Sequence, residues 1–269
     1  MIESRRALLD ALEALHDQLP ALVLVGAHAV YMHTSNIATP VADMTKDADL
    51  ALNTALLNAA PLIEVVLQES GFHLGTNPGS WISPTGVPVD LMVPEMLTTR
   101  SGRGAGVSPH ATNSARNTAG IEGCLVDNSK MDVGSFEQGD SRLFEISVAG
   151  PAALLIAKAH KIGERIGVHR RVDNKDAHDV YKILRAVDTE TLNRNLQLLL
   201  ETPVSGVSTQ KGLIYIKSLF ADGADSPGSQ MAGAAEGDFG NSDFVSQSAS
   251  ILASDLLKAL RLRHLGRTF

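Results

Sequence analysis

The chain has 269 residues, 44% of them apolar, and sets 23 Lys or Arg against 30 Asp or Glu for a formal net charge of −7. That is enough apolar mass for one large or two smaller domains, and the acidic balance argues against indiscriminate coating of nucleic acid. Cys124 is the single cysteine, which excludes an internal disulfide and a thiolate zinc site; with a charged, amphipathic start and no run of about 18 apolar residues, a cytoplasmic protein with no membrane partner is expected.

In chain order, residues 4–19 predict an amphipathic helix, with Leu8, Leu12, Leu15 and Leu19 at helical spacing. The run "ALVLVG" predicts a strand stopped by Gly26, followed by a short helix at 27–34 and a second strand at about 47–52. Helical patterning returns over 54–70 with a proline break inside, and Gly71 ends it. Short strands at about 72–74, 80–83 and 87–93 read as a meander, with "PTG" turning into "VPVDLMV". Residues 100–142, rich in Gly, Ser and Asn, read as a long insertion or a loosely ordered edge. After "LFEISVAG" the pattern is helical at 150–166, 174–187, 189–201, 208–220 and 248–264, with a flexible acidic loop at 222–243. The expected architecture is an α+β or α/β domain over 1–145, with a mixed sheet flanked by helices, then a mainly helical domain over 146–269.

Acids inside apolar strands are the conspicuous feature. Asp47 and Asp49 alternate with apolar residues, so both point to one face with Cα atoms roughly 6.5–7 Å apart, where they can share a divalent cation. Unpaired, they would repel each other and resist desolvation. Calcium in an EF-hand is excluded: counted from Asp47, the sixth position is Leu52 rather than glycine and the twelfth is Asn58 rather than glutamate. Asp90 lies in a further apolar run, facing away from Val89 and Leu91. Three carboxylates on neighbouring strands suit one or two Mg²⁺ ions held against a nucleoside triphosphate. Upstream, Gly26 ends a strand and opens a helix, whose N-terminal amides are a ready phosphate seat.

The order strand, "VG", short helix, "TKDADL", then "VDL" resembles the motif of the nucleotidyltransferase superfamily. The segments "LLIAKAHKIGER" (154–165) and "NKDAHDVYKIL" (174–184) resemble those of the AbiEii-type toxin nucleotidyltransferases, which include mycobacterial toxins that modify tRNA. The resemblance covers roughly residues 20–185 as ordered motifs. It implies that Asp47, Asp49 and Asp90 bind Mg²⁺ or Mn²⁺, and that Gly26, Ala27, Thr45, Lys46 and Lys158 hold the nucleotide. It also implies that Lys158 contacts phosphates and that Asp176 is a late acidic residue of an active-site cleft to which the helical domain contributes. The chain departs from the family in two places: Gly26-Ala27 stands where Gly-Gly or Gly-Ser is usual, and no arginine precedes the threonine segment, Asp43 lying near that place.

Charge by segment points the same way. Residues 151–185 hold eight Lys or Arg (Lys158, Lys161, Arg165, Arg170, Arg171, Lys175, Lys182, Arg185) against four acids, a net +4 that would attract an anion. Lys158, Lys161 and Arg165 fall on one helical face, as they would on a solvated helix or at a phosphate site. The glycine-rich "SGRGAG" lacks a strand-turn-helix frame, although Arg100 and Arg103 could reach a phosphate from that loop. His28, His160 and His178 have no metal-binding spacing and read as packing or surface residues, and an aromatic content of 4% does not support a base-stacking platform. The expected function is Mg²⁺-dependent transfer of a nucleotide from an NTP to a tRNA 3′ end, by a toxin with a cognate antitoxin. The alternatives are transfer to a small molecule such as an aminoglycoside, and an idle module that binds a nucleotide or partner.

Overall fold

A computed structural model describes residues 1–40, 44–98, 102–166 and 174–265, without side chains for 261–265. The chain is mixed α/β and divides into two compact units, Met1–Ala29 with Asp43–Ala149, and Val30–Ala42 with Gly150–Phe269. The main division falls at 149/150, a few residues past the expected 145, and the 30–42 segment belongs to the second unit.

The first unit opens with helix α1 (Ile2–Ala14), whose buried stripe of Leu8, Leu9 and Leu12 packs toward the sheet, and a 3-10 segment, His16–Ala21, that contains Pro20. The α-helix expected to reach residue 19 thus ends at Ala14, and the chain goes on as a 3-10 turn. Strand β1 (Leu22–Val25) is fully buried, and helix α2 (Gly26–Thr34) follows directly. Then come β2 (Ala48–Leu52), helix α3 (Ile63–Glu69), β3 (His73–Leu74), β4 (Ser80–Ile82) and β5 (Pro88–Pro94). Only the second half of the expected 54–70 helix forms; the first half turns, and Leu62 is extended as the cap of α3.

Residues 100–142 are not a bare insertion. They supply β6 (Arg116–Thr118), the long β7 (Asn128–Gly134) and a 3-10 turn at Glu122–Leu125 that buries Cys124. Burial pushes that thiol well above the ordinary cysteine range, which leaves it inert. Strand β8 (Leu143–Ala149) closes the unit. The mixed, open sheet has eight strands in the order β3-β4-β5-β2-β1-β8-β7, with β6 also on β5. Pairs β1–β8, β2–β5 and β5–β6 are parallel, while β1–β2, β3–β4, β4–β5 and β7–β8 are antiparallel.

The second unit is helical: α4 (Pro151–Gly163), α5 (Asn174–Ala186), α6 (Thr189–Glu201), α7 (Gly206–Ile216) running into a π turn at Lys217–Ala221, α8 (Pro227–Ala234) and α9 (Ser242–Leu265). Pro151 starts α4 where its missing N–H costs nothing, and Asp188 caps α6 by accepting the Thr191 N–H at 2.8 Å. Helix α8 lies inside the segment expected to be a flexible loop. Its composition, "PGSQMAGA", has almost no large apolar residues because it packs close against α5 and α9, with Gly228, Ser229, Ala232 and Gly233 buried. Arg100 and Asp43, like Arg170, Arg171 and Asp173 of the basic segment, lie outside the described residues. Among the described residues no helix is long and apolar enough to cross a membrane.

Candidate functional site

The parallel register of β2 and β5 pairs Asp49 with Asp90. Neighbouring strands lie about 4.8 Å apart, so two carboxylates stand side by side on one face. Alternation sends Ala48, Leu50, Val89 and Leu91 to the other face, and all four are buried there. The apolar frame thus fixes which face the acids take, since a slip of one residue would drive both into the core.

Asp49 is placed by a second contact. Val25 at the end of β1 pairs with it, and the next residue, Gly26, turns at φ +67° into α2. A Cβ at residue 26 would run into the Asp49 carboxylate, so only glycine permits both the turn and the approach. The result is a helix N-terminus, which favours anions, next to an acid pair that can bind cations. Asp47 immediately precedes β2; its carboxylate accepts a hydrogen bond from Thr45 Oγ1 at 2.6 Å, and Thr45 is buried. Lys46 between them is exposed, and Ala27 is half-buried in the first turn of α2.

Arg116, which the sequence reading did not single out, belongs to the same face. β6 continues the edge of β5 that β4 leaves, with Ser80 opposite Asp90 and Arg116 opposite Met92. Residues 90 and 92 share a face, and a residue in register shares the face of its partner, so Arg116 points with the acids. Its Nη2 is 3.0 Å from Asp90 Oδ2 and 4.0 Å from Asp49 Oδ1, and it also meets Met92 Sδ at 3.1 Å. Gly79, at φ +73°, makes the handover from β4 to β6 possible: a Cβ there would run into the Arg116 amide nitrogen and the Leu91 carbonyl oxygen. A three-residue strand inside a Gly/Ser/Asn-rich stretch carries no periodicity, so nothing in the pattern of residues 100–142 would have flagged Arg116.

Mg²⁺ takes hard oxygen ligands and is commonly held by one or two carboxylates together with waters and substrate phosphates. The Asp49–Asp90 pair fits that donor set. Among the described residues, no group of three or more His, Cys, Asp and Glu side chains is arranged to hold a metal ion by itself.

The second unit holds a separate charged group. Lys158 on α4 is buried, and its Nζ lies 2.7 Å from Asp176 Oδ1 and 2.8 Å from Asp179 Oδ2, both on α5. Lys161 contacts Asp176 at 3.0 Å and Lys182 contacts Asp179 at 3.0 Å. Burial opposes the charge on Lys158, but Asp179 and Asp176 outweigh it and hold the ammonium well above the usual lysine range. Burial likewise opposes ionisation of Asp176, yet Lys158 and Lys161 keep it well below the ordinary carboxylate range; Asp179 is lowered in the same way by Lys158 and Lys182. Three of the eight basic residues of the 151–185 segment are therefore spent on two acids, and the outward positive charge is smaller than the raw count suggests. Arg165 lies past the end of α4, so the expected face of Lys158, Lys161 and Arg165 is broken at its last member.

The three histidines are all buried beside partners: His28 Nε2 with Ser4 Oγ at 3.1 Å, His160 Nε2 with the Ser208 carbonyl at 2.7 Å, and His178 Nε2 with Glu236 Oε1 at 2.9 Å. Arg103 is exposed, its carbonyl accepting the Asn117 N–H.

No family model matches the chain, and no curated protein matches it.

Proposed function

We propose that the chain is a Mg²⁺-dependent nucleotidyltransferase that moves a nucleotide from an NTP to the 3′ end of tRNA, as the toxin of a toxin–antitoxin pair, with a nucleotidyltransferase-type fold in its first unit. The observation that carries this reading is the in-register pair Asp49–Asp90, set directly against the glycine turn that opens α2. Acid oxygens for a cation and helix amides for a phosphate, side by side on a rigid sheet, are what transfer of a charged phosphoryl centre requires. The tRNA acceptor and the toxin role rest on the resemblance of the ordered motifs to AbiEii-type proteins.

In the reaction the acceptor hydroxyl oxygen forms a bond to the α-phosphorus and gives up its proton to solvent, the bond from that phosphorus to the bridging oxygen of the β-phosphate breaks, and pyrophosphate leaves with that electron pair. Mg²⁺ or Mn²⁺, when bound, supplies neutralisation of the developing phosphate charge and acidifies the attacking hydroxyl. The protein's part is orientation. Asp49 and Asp90 stand on adjacent strands, Thr45 fixes the rotamer of Asp47 through its hydrogen bond, and the first amides of α2 receive a phosphate oxygen. The resemblance would also give Lys158 a phosphate contact and Asp176 a place in the cleft; in the structure the two are paired with each other at 2.7 Å, and this reading routes no step through them.

The test is direct. Purified protein is incubated with Mg²⁺, total tRNA and each of the four radiolabelled NTPs. Label is expected at the tRNA 3′ end, with binding that weakens as salt rises at a log–log slope of roughly −0.7 to −0.9 per phosphate contact. If tRNA stays unlabelled with all four NTPs while an aminoglycoside is modified, the small-molecule transferase replaces this reading.

A further inference from the structure

The Asp49–Asp90 pair has a cation of its own, and that cation is held loosely. Arg116 reaches the pair through one nitrogen, Nη2, at 3.0 Å from Asp90 and 4.0 Å from Asp49, rather than through the two-pronged contact in which a guanidinium binds a carboxylate best. Its Nε is buried without a hydrogen-bond partner, and so is Oγ1 of Thr118, two residues on and on the same face of β6. The side chain is about one-third exposed, so it has room to move toward solvent. Two carboxylates this close require a cation between or beside them, and the only short ion pair Asp90 makes among the described residues is with Arg116.

We infer that Arg116 is a positioning residue that serves as the exchangeable counter-cation of Asp49 and Asp90: it holds the two acids together in the metal-free protein and yields its place when a divalent cation enters. The inference rests on the metal-dependent reading proposed above. Because guanidinium and divalent cation compete for the same oxygens, entry of the cation must be coupled to loss of the Arg116–Asp90 contact. The coupling has two signs that can be measured. Removing the guanidinium strengthens divalent binding, since nothing is displaced, and it weakens the metal-free fold, since Asp90 loses its 3.0 Å partner.

Mn²⁺ is the probe, titrated by electron paramagnetic resonance into wild type, Arg116→Met and Arg116→Lys, with melting temperatures recorded in EDTA and in excess Mn²⁺. Arg116→Met is expected to bind Mn²⁺ about tenfold more tightly than wild type, the size expected when one charge-assisted contact no longer has to be broken. It is also expected to melt lower in EDTA and to recover most of the difference in Mn²⁺. Arg116→Lys keeps a charge without the fork and should tighten Mn²⁺ by a smaller factor, about threefold; it carries the test if Arg116→Met does not fold. Unchanged Mn²⁺ affinity, with a melting difference equal in EDTA and Mn²⁺, would mean that Arg116 is only structural and overturns the inference while leaving the metal site standing. If neither wild type nor the variants bind Mn²⁺ at millimolar concentration, the metal-dependent reading falls, and this inference with it.

Discussion

Two charged groups of this protein, one in each unit, differ in how deeply they are buried. On the sheet of the first unit, Asp49 and Asp90 lie near one arginine, Arg116, and Asp47, just before β2, accepts a hydrogen bond from Thr45. In the second unit three lysines surround two aspartates, every contact is 3.0 Å or shorter, and the central members Lys158, Asp176 and Asp179 are buried. The acids of the first group are partly open to solvent, their side chains 18% and 14% exposed. The second is closed on itself and joins α4 to α5. Burial and short contacts therefore mark the group that does the most for the fold, whereas the partly exposed acids are the ones a solute can reach.

The sharpest way to break that contrast is at Lys158. Removing it leaves two buried carboxylates with one lysine each, and breaking a buried ion pair from one side typically costs about 3–5 kcal/mol. Lys158→Met is expected to lose that much in urea unfolding. Lys161→Met, whose side chain is 41% exposed, is expected to lose no more than about 1 kcal/mol. Combining Lys158→Met with Asp176→Asn should restore part of the loss, because one uncompensated carboxylate goes while Asp179 keeps the buried Lys182 at 3.0 Å. A Lys158→Met protein as stable as wild type would show that the group is not a keystone of the second unit. A drop in transfer activity at this position is informative only where the variant's folded fraction has been measured.

The acid pair is expected to behave the other way round, with a large effect on activity and a small one on stability. Asp47→Asn and Asp49→Asn should each reduce nucleotide transfer by at least about 10²-fold, the scale of losing a principal electrostatic element of a transition state, while shifting stability by less than about 1 kcal/mol. Repulsion between the acids is already offset by Arg116, so Asp49→Asn should bring no large stabilisation. Asp90→Asn should be the least stable of the three, since it removes the 3.0 Å partner of Arg116 and strands a guanidinium whose Nε has no partner already. Full transfer by an Asp47→Asn/Asp49→Asn double variant would remove the sheet face from the reaction.

How much of this could be read from the sequence follows from the kind of order each part uses. Strand β1 declares itself as an unbroken apolar run, and β2 and β5 by the apolar residues of their buried faces; an acid in such a run stands out, which makes Asp49 and Asp90 legible. The mainly helical second unit declares itself by 3.6-residue spacing in the same way. Helix α8 did not, because a helix that packs closely uses Gly, Ser and Ala, and those residues also compose loops. β6 did not, because three residues cannot show a period and its place depends on Gly79, far off in the chain. Arg116 is therefore invisible in the sequence, although its Nη2 lies 3.0 Å from Asp90. Lys158 was legible as a residue of interest, but not as a buried one: its helix repeats every 3.6 residues whether a lysine on it meets water or two aspartates.

The smallest expected effect, on pH, separates the two groups without any change in sequence. Asp176 and Asp179 are held below the ordinary carboxylate range by their lysines once the opposing effect of burial is overcome. A group whose pKa is lower in the folded than in the unfolded chain adds stability that is fully present above its unfolded pKa, about 3.9 for Asp, and that is lost as pH falls toward the folded value. Lys158, shifted upward, adds stability that is complete below its unfolded value, about 10.4, so it contributes no slope at neutral or acid pH. The network should therefore give a plateau from about pH 5 to pH 10 and an acid decline that begins only below about pH 4. In Lys158→Met the main cause of the downward shift of both aspartates is gone, so their pKa values rise and that protein has less to lose in acid. The gap in urea midpoint between wild type and Lys158→Met should be widest and constant between pH 5 and pH 8, then narrow as pH falls from 4 to 3. A gap that stays constant to pH 3 would mean that the variant's instability comes from lost packing of the lysine stem rather than from stranded charge, and the second unit's charged group would then hold its helices together by shape.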